Sequence, residues 1–363
     1  MMRTEKPTAI LNPATVRRNI RRMADKASRS GVRLRPHFKT HQSAAVGEWF
    51  REAGVTGITV SSVGMAQYFA DHGWDDITIA FPVSWWQIDT LNGLAGRVRL
   101  GLLVESPETI QFLQLRLTAP VNVWIKVDTG YNRTGVRYDD APLIDQLAAA
   151  LRLADKLTLA GLLTHTGQTY SIMGSRSIRS IYDKTVAALN QVQQQLQQRG
   201  FADVALSIGD TPTCSMLESF PGVNEIRPGN FVFYDMQQVS LGSCRVEDVA
   251  VAVACPVVAK HPWKNTLTIY GGSAHFSSDY DDGWIFGAVA LPTDLGWSAP
   301  LPATRLLKLS QEHGIVQTTP DRLARTNVGD TLMILPIHAC LTMNSLKGYT
   351  TLEGERLAML RDF

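Results

Sequence analysis

The sequence predicts an α/β protein: a (β/α)8 TIM barrel over residues 13–235, followed by a β-rich domain over 236–363 that also takes in residues 1–12. Three observations carry this expectation. Short apolar, β-branched runs alternate with amphipathic stretches through the first two-thirds of the 363 residues. Eight such runs can be counted, the number on which a barrel of this class closes. After about Asp235 the texture changes to strands separated by turns rich in Gly, Pro and Asp, with no long helical pattern between them. A doubly wound open sheet is the competing architecture, but the glycine-rich fingerprint of a dinucleotide site is missing after the first strand.

The elements follow in order. Thr8–Leu11 reads as a strand ahead of the first barrel helix, placed to pair with the β-rich domain. Asn12 caps a helix with Pro13 at its first position, running to about Ser30. Val16, Ile20, Met23 and Ala27 form its apolar face, so Arg17, Arg18, Arg21 and Arg22 read as its solvated side. The barrel strands are expected at Val32–Arg35, Gly57–Val60, Ile77–Phe81, Val98–Val104, Val121–Asp128, Leu159–His165, Ala205–Ile208 and Asn224–Arg227. The longest helix spans about Ser177–Arg199, with Ile178, Ile181, Val186, Leu189, Val192 and Leu196 inward and Gly200 ending it. In the second domain, strands are expected at Val239–Leu241, Val249–Val258, Thr266–Tyr270, Gly314–Gln317 and Thr331–Pro336, with turns at Tyr280–Gly283 and Pro292–Gly296.

Composition narrows the function. With 45% hydrophobic and 19% charged residues, the chain reads as globular and water-soluble, and its net charge of +2 argues against a general nucleic-acid binder. No apolar run approaches the roughly 18 residues of a membrane helix. The first residues, MMRTEKPTAILNP, lack the apolar core of a secretory signal. Cys214, Cys244, Cys255 and Cys340 are widely spread, which points to thiols in a reducing cytoplasm and leaves one available as a ligand.

In a barrel, catalytic groups sit at the C-terminal ends of strands. The first strand ends in Arg35-Pro36-His37-Phe38-Lys39-Thr40-His41, so Lys39 is either a nucleophilic amine in the barrel mouth or a loop lysine. The fifth ends in DTGYNRTG (128–135), where two glycines permit a tight turn and Arg133 can reach an anionic or phenolic oxygen. The sixth offers His165 and Tyr170, an imidazole and a phenol side by side, although a satisfied core histidine is an equal reading of His165. The seventh and eighth end in glycine-containing loops at the positions where barrels bind phosphate. Gly209 and Thr211 are the expected donors in the first of these loops, since Asp210 would repel a phosphate if it pointed inward. In LPIHACLTMN (335–344), strand geometry would project His338 and Cys340 from one face as a zinc-favouring pair.

Together these segments resemble the fold-type III pyridoxal phosphate (PLP) enzymes, the alanine racemase-like proteins, and within them the D-serine dehydratase/D-threonine aldolase branch. RPHFKTHQ (35–42) is similar to the branch's Arg-Pro-His-x-Lys-Thr-His segment, which implies Lys39 as the Schiff-base lysine with His37 beside the cofactor. DTGYNRTG implies Arg133 at the phenolic oxygen, and GLLTHTGQTY (161–170) implies His165 and Tyr170 around the ring. RPGNFVF (227–233) implies Arg227 near the pyridine nitrogen, with Gly229 and Asn230 on the phosphate. LPIHACLTMN resembles the dehydratases' metal-binding segment.

The resemblance spans nearly the whole chain. It implies a PLP-binding barrel plus a β-domain, a homodimer, a small D-amino acid substrate, and a divalent metal, zinc ahead of manganese or magnesium. It further implies a lyase of β-hydroxy D-amino acids that releases a 2-oxo acid and ammonia. Family dehydratases carry His-x-Cys at the metal segment and aldolases tend to His-x-Asp, so Cys340 favours dehydration over retro-aldol cleavage to glycine and an aldehyde. A racemase ranks third, for want of an identifiable second acid/base. A non-catalytic PLP carrier would lack the second domain. One departure stands out: where the branch often has an Asp-x-Gly turn, this chain has Tyr270-Gly271-Gly272-Ser273-Ala274-His275-Phe276, and His275 reads as either a substrate-facing group or a turn residue.

Overall fold

The computed structural model describes residues 4–360, and these fall into two compact units. One gathers residues 22–39 and 50–229. The other gathers residues 4–21, 40–49 and 230–360.

The first unit is a parallel barrel. Its strands are β1 (Arg33–Leu34), β2 (Ile58–Val60), β3 (Asp76–Pro82), β4 (Arg99–Val104), β5 (Val121–Asp128), β6 (Leu157–Leu163), β7 (Ala205–Ile208) and β8 (Glu225–Ile226). Neighbours run β1-β8-β7-β6-β5-β4-β3-β2. A parallel bridge between His37 and Thr59 closes the ring, with the Phe38 N–H donating to Thr59 O at 2.8 Å and the Thr59 N–H to Pro36 O at 2.9 Å. Expected and observed strands agree to within about two residues at each end, because long apolar β-branched runs announce doubly covered strands. The surrounding helices begin on side-chain caps: Ser62 accepts from Met65 N at 3.1 Å, Ser106 from Thr109 N at 3.2 Å, and Asp140 from Leu143 N at 3.1 Å. The longest helix is Ser175–Gln198, after which Gly200 takes φ +87°.

The barrel interior is partly polar. Arg35 donates to Glu225 and to Asp76, each at 2.7 Å, and all three are buried. Ser207 donates to the other oxygen of Glu225 at 2.7 Å and receives the Arg227 guanidinium at 2.5 Å. A continuous chain of charge-assisted bonds thus runs from Asp76 to Arg227.

In the second unit a long strand, Val251–His261, pairs antiparallel with Thr331–Pro336 and with Thr266–Tyr270. The sheet continues through His313–Gln317, Arg305–Leu309 and Gly287–Ala290 back to Thr331–Pro336, which closes it on itself. Thr8–Leu11 pairs with the other side of the long strand, and Gly348–Thr351 and Arg356–Ala358 follow it outward. The expected strand at Val239–Leu241 is instead a helix, Met236–Leu241. Asp235 Oδ1 accepts from Gln238 N at 3.0 Å to start that helix, and Gly242 at φ +79° stops it. A short Val-Ser-Leu alternation could not outweigh two caps.

Candidate active site

At the end of β1, Phe38 is fully buried among Phe50, Phe69 and Trp74, with ring centroids 4.9–5.1 Å away. His37 makes the bridge to Thr59, and the chain turns over residues 38–41. Lys39 is exposed, and its backbone N–H lies 3.4 Å from His37 Nδ1.

The loop after β5 folds around a carboxylate. Asp128 Oδ1 accepts from the N–H groups of Gly130 and Tyr131 at 2.9 Å and of Asn132 at 3.1 Å. Gly130 at φ +112° and Asn132 at φ +59° make that wrap possible. Arg133 emerges 5.1 Å from the Tyr131 ring, which itself meets His165 edge-on at 5.5 Å.

After β6, His165 Nδ1 lies 2.6 Å from Gly209 O, so Nδ1 carries the hydrogen and Nε2 faces away. Tyr170 Oη accepts from Thr211 N at 3.2 Å. A Cβ on Gly209 would come within 2.7–2.8 Å of the Arg227 backbone and Cβ, so no side chain fits there. Asp210 does not point a charge at an anion: it caps the helix Thr211–Met216 through Thr213 N at 2.7 Å, and the hydroxyls of Thr166 and Thr169 cover its oxygens. The Thr211 hydroxyl is buried with no hydrogen-bond partner among the described residues. At the end of β8, Arg227 donates to Ser207 and to Thr164 O, both at 2.5 Å. Gly229 follows, and Asn230 opens a short turn in the second unit, its amide donating to Asp235 at 2.6 Å.

The electrostatics share one sign. Desolvation, with Lys39, Arg227 and Arg133 nearby, pushes His37 well below its ordinary range. Desolvation and the same cations lower His165 to about 3. Burial brings Arg227 down to about 10. Neutral imidazoles amid cations, the buried Thr211 hydroxyl and a side-chain-free glycine fit a phosphorylated, anionic ring such as PLP. The sequence reading missed Lys126, which is buried in the middle of β5 and lowered to about 8 by burial and by Arg227 and Arg133. A lysine at an interior position of Val-Asn-Val-Trp-Ile-Lys-Val-Asp was the signal.

The second unit holds a centre of opposite character. His338 and Cys340 are not two residues of one strand face: the strand ends at Pro336, His338 (φ −135°, ψ 104°) is the N-cap residue of the helix Ala339–Leu346, and Cys340 lies in its first turn. The Ala339 N–H between them is captured by Asp235 Oδ2 at 2.9 Å, which turns the chain into the helix. The two side chains still meet, since the His338 ring hydrogen-bonds Cys340. Thr40 Oγ1 lies 3.2 Å and Asn230 Nδ2 3.6 Å from Cys340 Sγ. His338 Nδ1 bonds Asp279 Oδ2. Burial alone would lower the imidazole, but Cys340, Asp235 and Asp279 raise it to about 10. Among the described residues no group of three or more His, Cys, Asp or Glu forms a metal cluster. An imidazole and a thiol, with two acids close by, fit a divalent cation held by two protein ligands with positions open to water or substrate. Asp279 and Asp235 went unread because each sits far along the chain from the His-x-Cys segment.

His275 lies in a turn. Its Nδ1 accepts from Gly272 N at 3.3 Å, and its Nε2 lies 3.8 Å from Glu312.

The alanine racemase N-terminal domain family matches residues 11–237, and a serine dehydratase domain matches 250–352. This chain belongs to the alanine racemase-like, fold-type III PLP family. The family's D-threo-3-hydroxyaspartate dehydratase from Delftia sp. (strain HT23) is 31% identical, over 98% of this chain and 96% of the relative. Its solved structure superposes with a TM-score of 0.92 at 30% identity, covering 99% of this chain and 98% of that one. A variant of it with one cysteine replaced by alanine, described as in the metal-free form, superposes equally well at 0.92 with 29% identity over 99% and 98% of the two chains. The D-serine dehydratase of Dictyostelium discoideum is 27% identical over 96% of this chain and 93% of its own. A D-threonine aldolase from Arthrobacter sp. is 23% identical over 95% and 88%.

Proposed function

We propose that this chain is a PLP- and divalent-metal-dependent lyase of β-hydroxy D-amino acids, a dehydratase of the D-serine type that releases a 2-oxo acid and ammonia. The observation that carries the reading is the meeting of His338 with Cys340, an imidazole–thiol pair where a carboxylate would favour the aldolase reading. The Delftia relative supports it, since its solved variants include a histidine-to-alanine change and, two positions on, the cysteine-to-alanine change of the metal-free form.

In this reading Lys39 holds PLP covalently, Arg133 and Tyr170 flank it with His37 and His165, and Arg227 faces the ring nitrogen. Gly209, Thr211, Gly229 and Asn230 take the phosphate. When bound, PLP withdraws electrons from the substrate's Cα. Lys39 Nζ, released from the cofactor when the substrate's amine takes its place, would be the base for the α-proton. His165, neutral through its depressed pKa, adds no competing acid beside that amine. His338 and Cys340 hold the metal, which when bound draws charge from the departing β-hydroxyl. Zinc suits an imidazole–thiolate pair better than manganese or magnesium does. The same reading takes the enzyme as a cytoplasmic homodimer, on the strength of the family resemblance. No helix among the described residues is long and apolar enough to cross a membrane.

The test is turnover of D-serine, D-threonine and D-3-hydroxyaspartate by purified protein with zinc or manganese, following oxo acid against glycine. Oxo acid and ammonia are expected. Glycine plus aldehyde would move the assignment to the aldolases, and no turnover with indifference to chelator would overturn it.

A further inference from the structure

The loop after Thr266–Tyr270 runs in the sequence as Ser-Ser-Asp-Tyr-Asp-Asp-Gly, an unremarkable polar turn. In the structure it is fastened to the helix Ala339–Leu346, at whose N-cap position His338 sits. The Ser277 N–H donates to the hydroxyl of Thr342, a fully buried residue of that helix, at 3.2 Å. Ser277 Oγ in turn accepts from Asp279 N at 3.0 Å. These two bonds fix the Asp279 backbone beside the helix start, and its carboxylate Oδ2 bonds His338 Nδ1.

We propose that Asp279 is a positioning residue for the metal centre. By accepting the Nδ1 hydrogen, its carboxylate locks the His338 tautomer and ring orientation, and leaves the Nε2 lone pair to the metal. It also makes that nitrogen more basic. Carboxylate, imidazole and metal then form one line, in which the acid touches neither metal nor substrate. This inference rests on the reading of His338 and Cys340 as metal ligands. The Asp279 side chain is 48% exposed, so its removal opens no core. A purely structural role would therefore show in stability, whereas a positioning role shows in metal affinity.

The experiment titrates zinc into the metal-stripped full chain against a chromophoric chelator, for wild type, Asp279→Ala, Asp279→Asn and His338→Ala. Asp279→Ala is expected to weaken zinc by about 10–100-fold, the usual cost of losing such a partner. Asp279→Asn keeps an acceptor oxygen and should recover most of that loss, with the metal-free melting temperature unchanged in both. Wild-type affinity in Asp279→Ala, with His338→Ala already deficient, overturns the inference and leaves the metal site standing. An Asp279→Asn variant as deficient as His338→Ala makes Asp279 a ligand, which also overturns it. Wild-type affinity in His338→Ala removes the metal site itself.

Discussion

Two groups of histidines in this chain are held in opposite states. In the barrel unit, His37 and His165 are kept neutral by desolvation and by Lys39, Arg133 and Arg227. In the β unit, Cys340, Asp235 and Asp279 pull His338 the other way and raise it above its ordinary range. The same side chain therefore reports two kinds of site. The first has cations and the buried Thr211 hydroxyl, and suits an anion. The second has acids and a thiol around one imidazole, and suits a cation. Burial alone would lower all three, so the neighbouring charges decide which way each group goes.

Replacing the lysine should break the barrel site alone. Lys39→Ala is expected to lose the borohydride-reducible cofactor linkage and about 10³-fold or more in lyase rate, while zinc affinity by chelator competition stays at the wild-type value. Retained linkage would sink the assignment of Lys39.

The contrast also predicts where buried charge carries stability. Glu225→Gln leaves Arg35 and, through Ser207, Arg227 without their shared buried carboxylate, and should destabilise the protein by about 3 kcal/mol in a thermal melt. An unchanged melt would mean the interior network is not coupled as its geometry implies.

Acid should affect the neutral histidines first. His41, fully buried, is lowered by desolvation to about 3. Its folded-state pKa is depressed, so between the ordinary histidine value near 6.5 and pH 3 the unfolded chain binds a proton the folded chain does not. Stability is full above that range and falls as pH drops through it. At pH 5 the loss is about 2 kcal/mol for His41, and His165 adds in the same direction. A melting temperature flat from pH 7 to 5 would contradict it.

The smallest expected effect is at Thr40, whose hydroxyl lies 3.2 Å from Cys340 Sγ. Thr40→Val removes one hydrogen bond to the thiolate and should weaken zinc several-fold, about 1 kcal/mol. No change would show that Cys340 is held by its other neighbours alone.

Much of the architecture was legible because its signals are local. Eight apolar β-branched runs, Asn12 ahead of Pro13, and Gly200 after a long amphipathic stretch each announce themselves within a few residues. What failed was also local but outcompeted: Val239–Leu241 has a strand-like side chain at its start, yet Asp235 and Gly242 bracket a helix. Gly287–Ala290 went unread because four small residues carry no alternation, and Arg305–Leu309 because its pattern suits a helix equally well.

The sequence by itself determined the order of chemical parts. A lysine follows the first strand, glycine loops follow the seventh and eighth, and His-x-Cys lies near the end, since motif spacing is a property of the chain. Only the tertiary structure decided which charges surround them. It brought Asp279 and Asp235 to His338 and put Lys126 near Arg133 and Arg227. It also turned Asp210 into a cap rather than a barrier to phosphate. The physical reason is range: propensity and capping act over a few residues, whereas a pKa is set by whatever charge the fold carries to within a few ångströms, however distant in sequence.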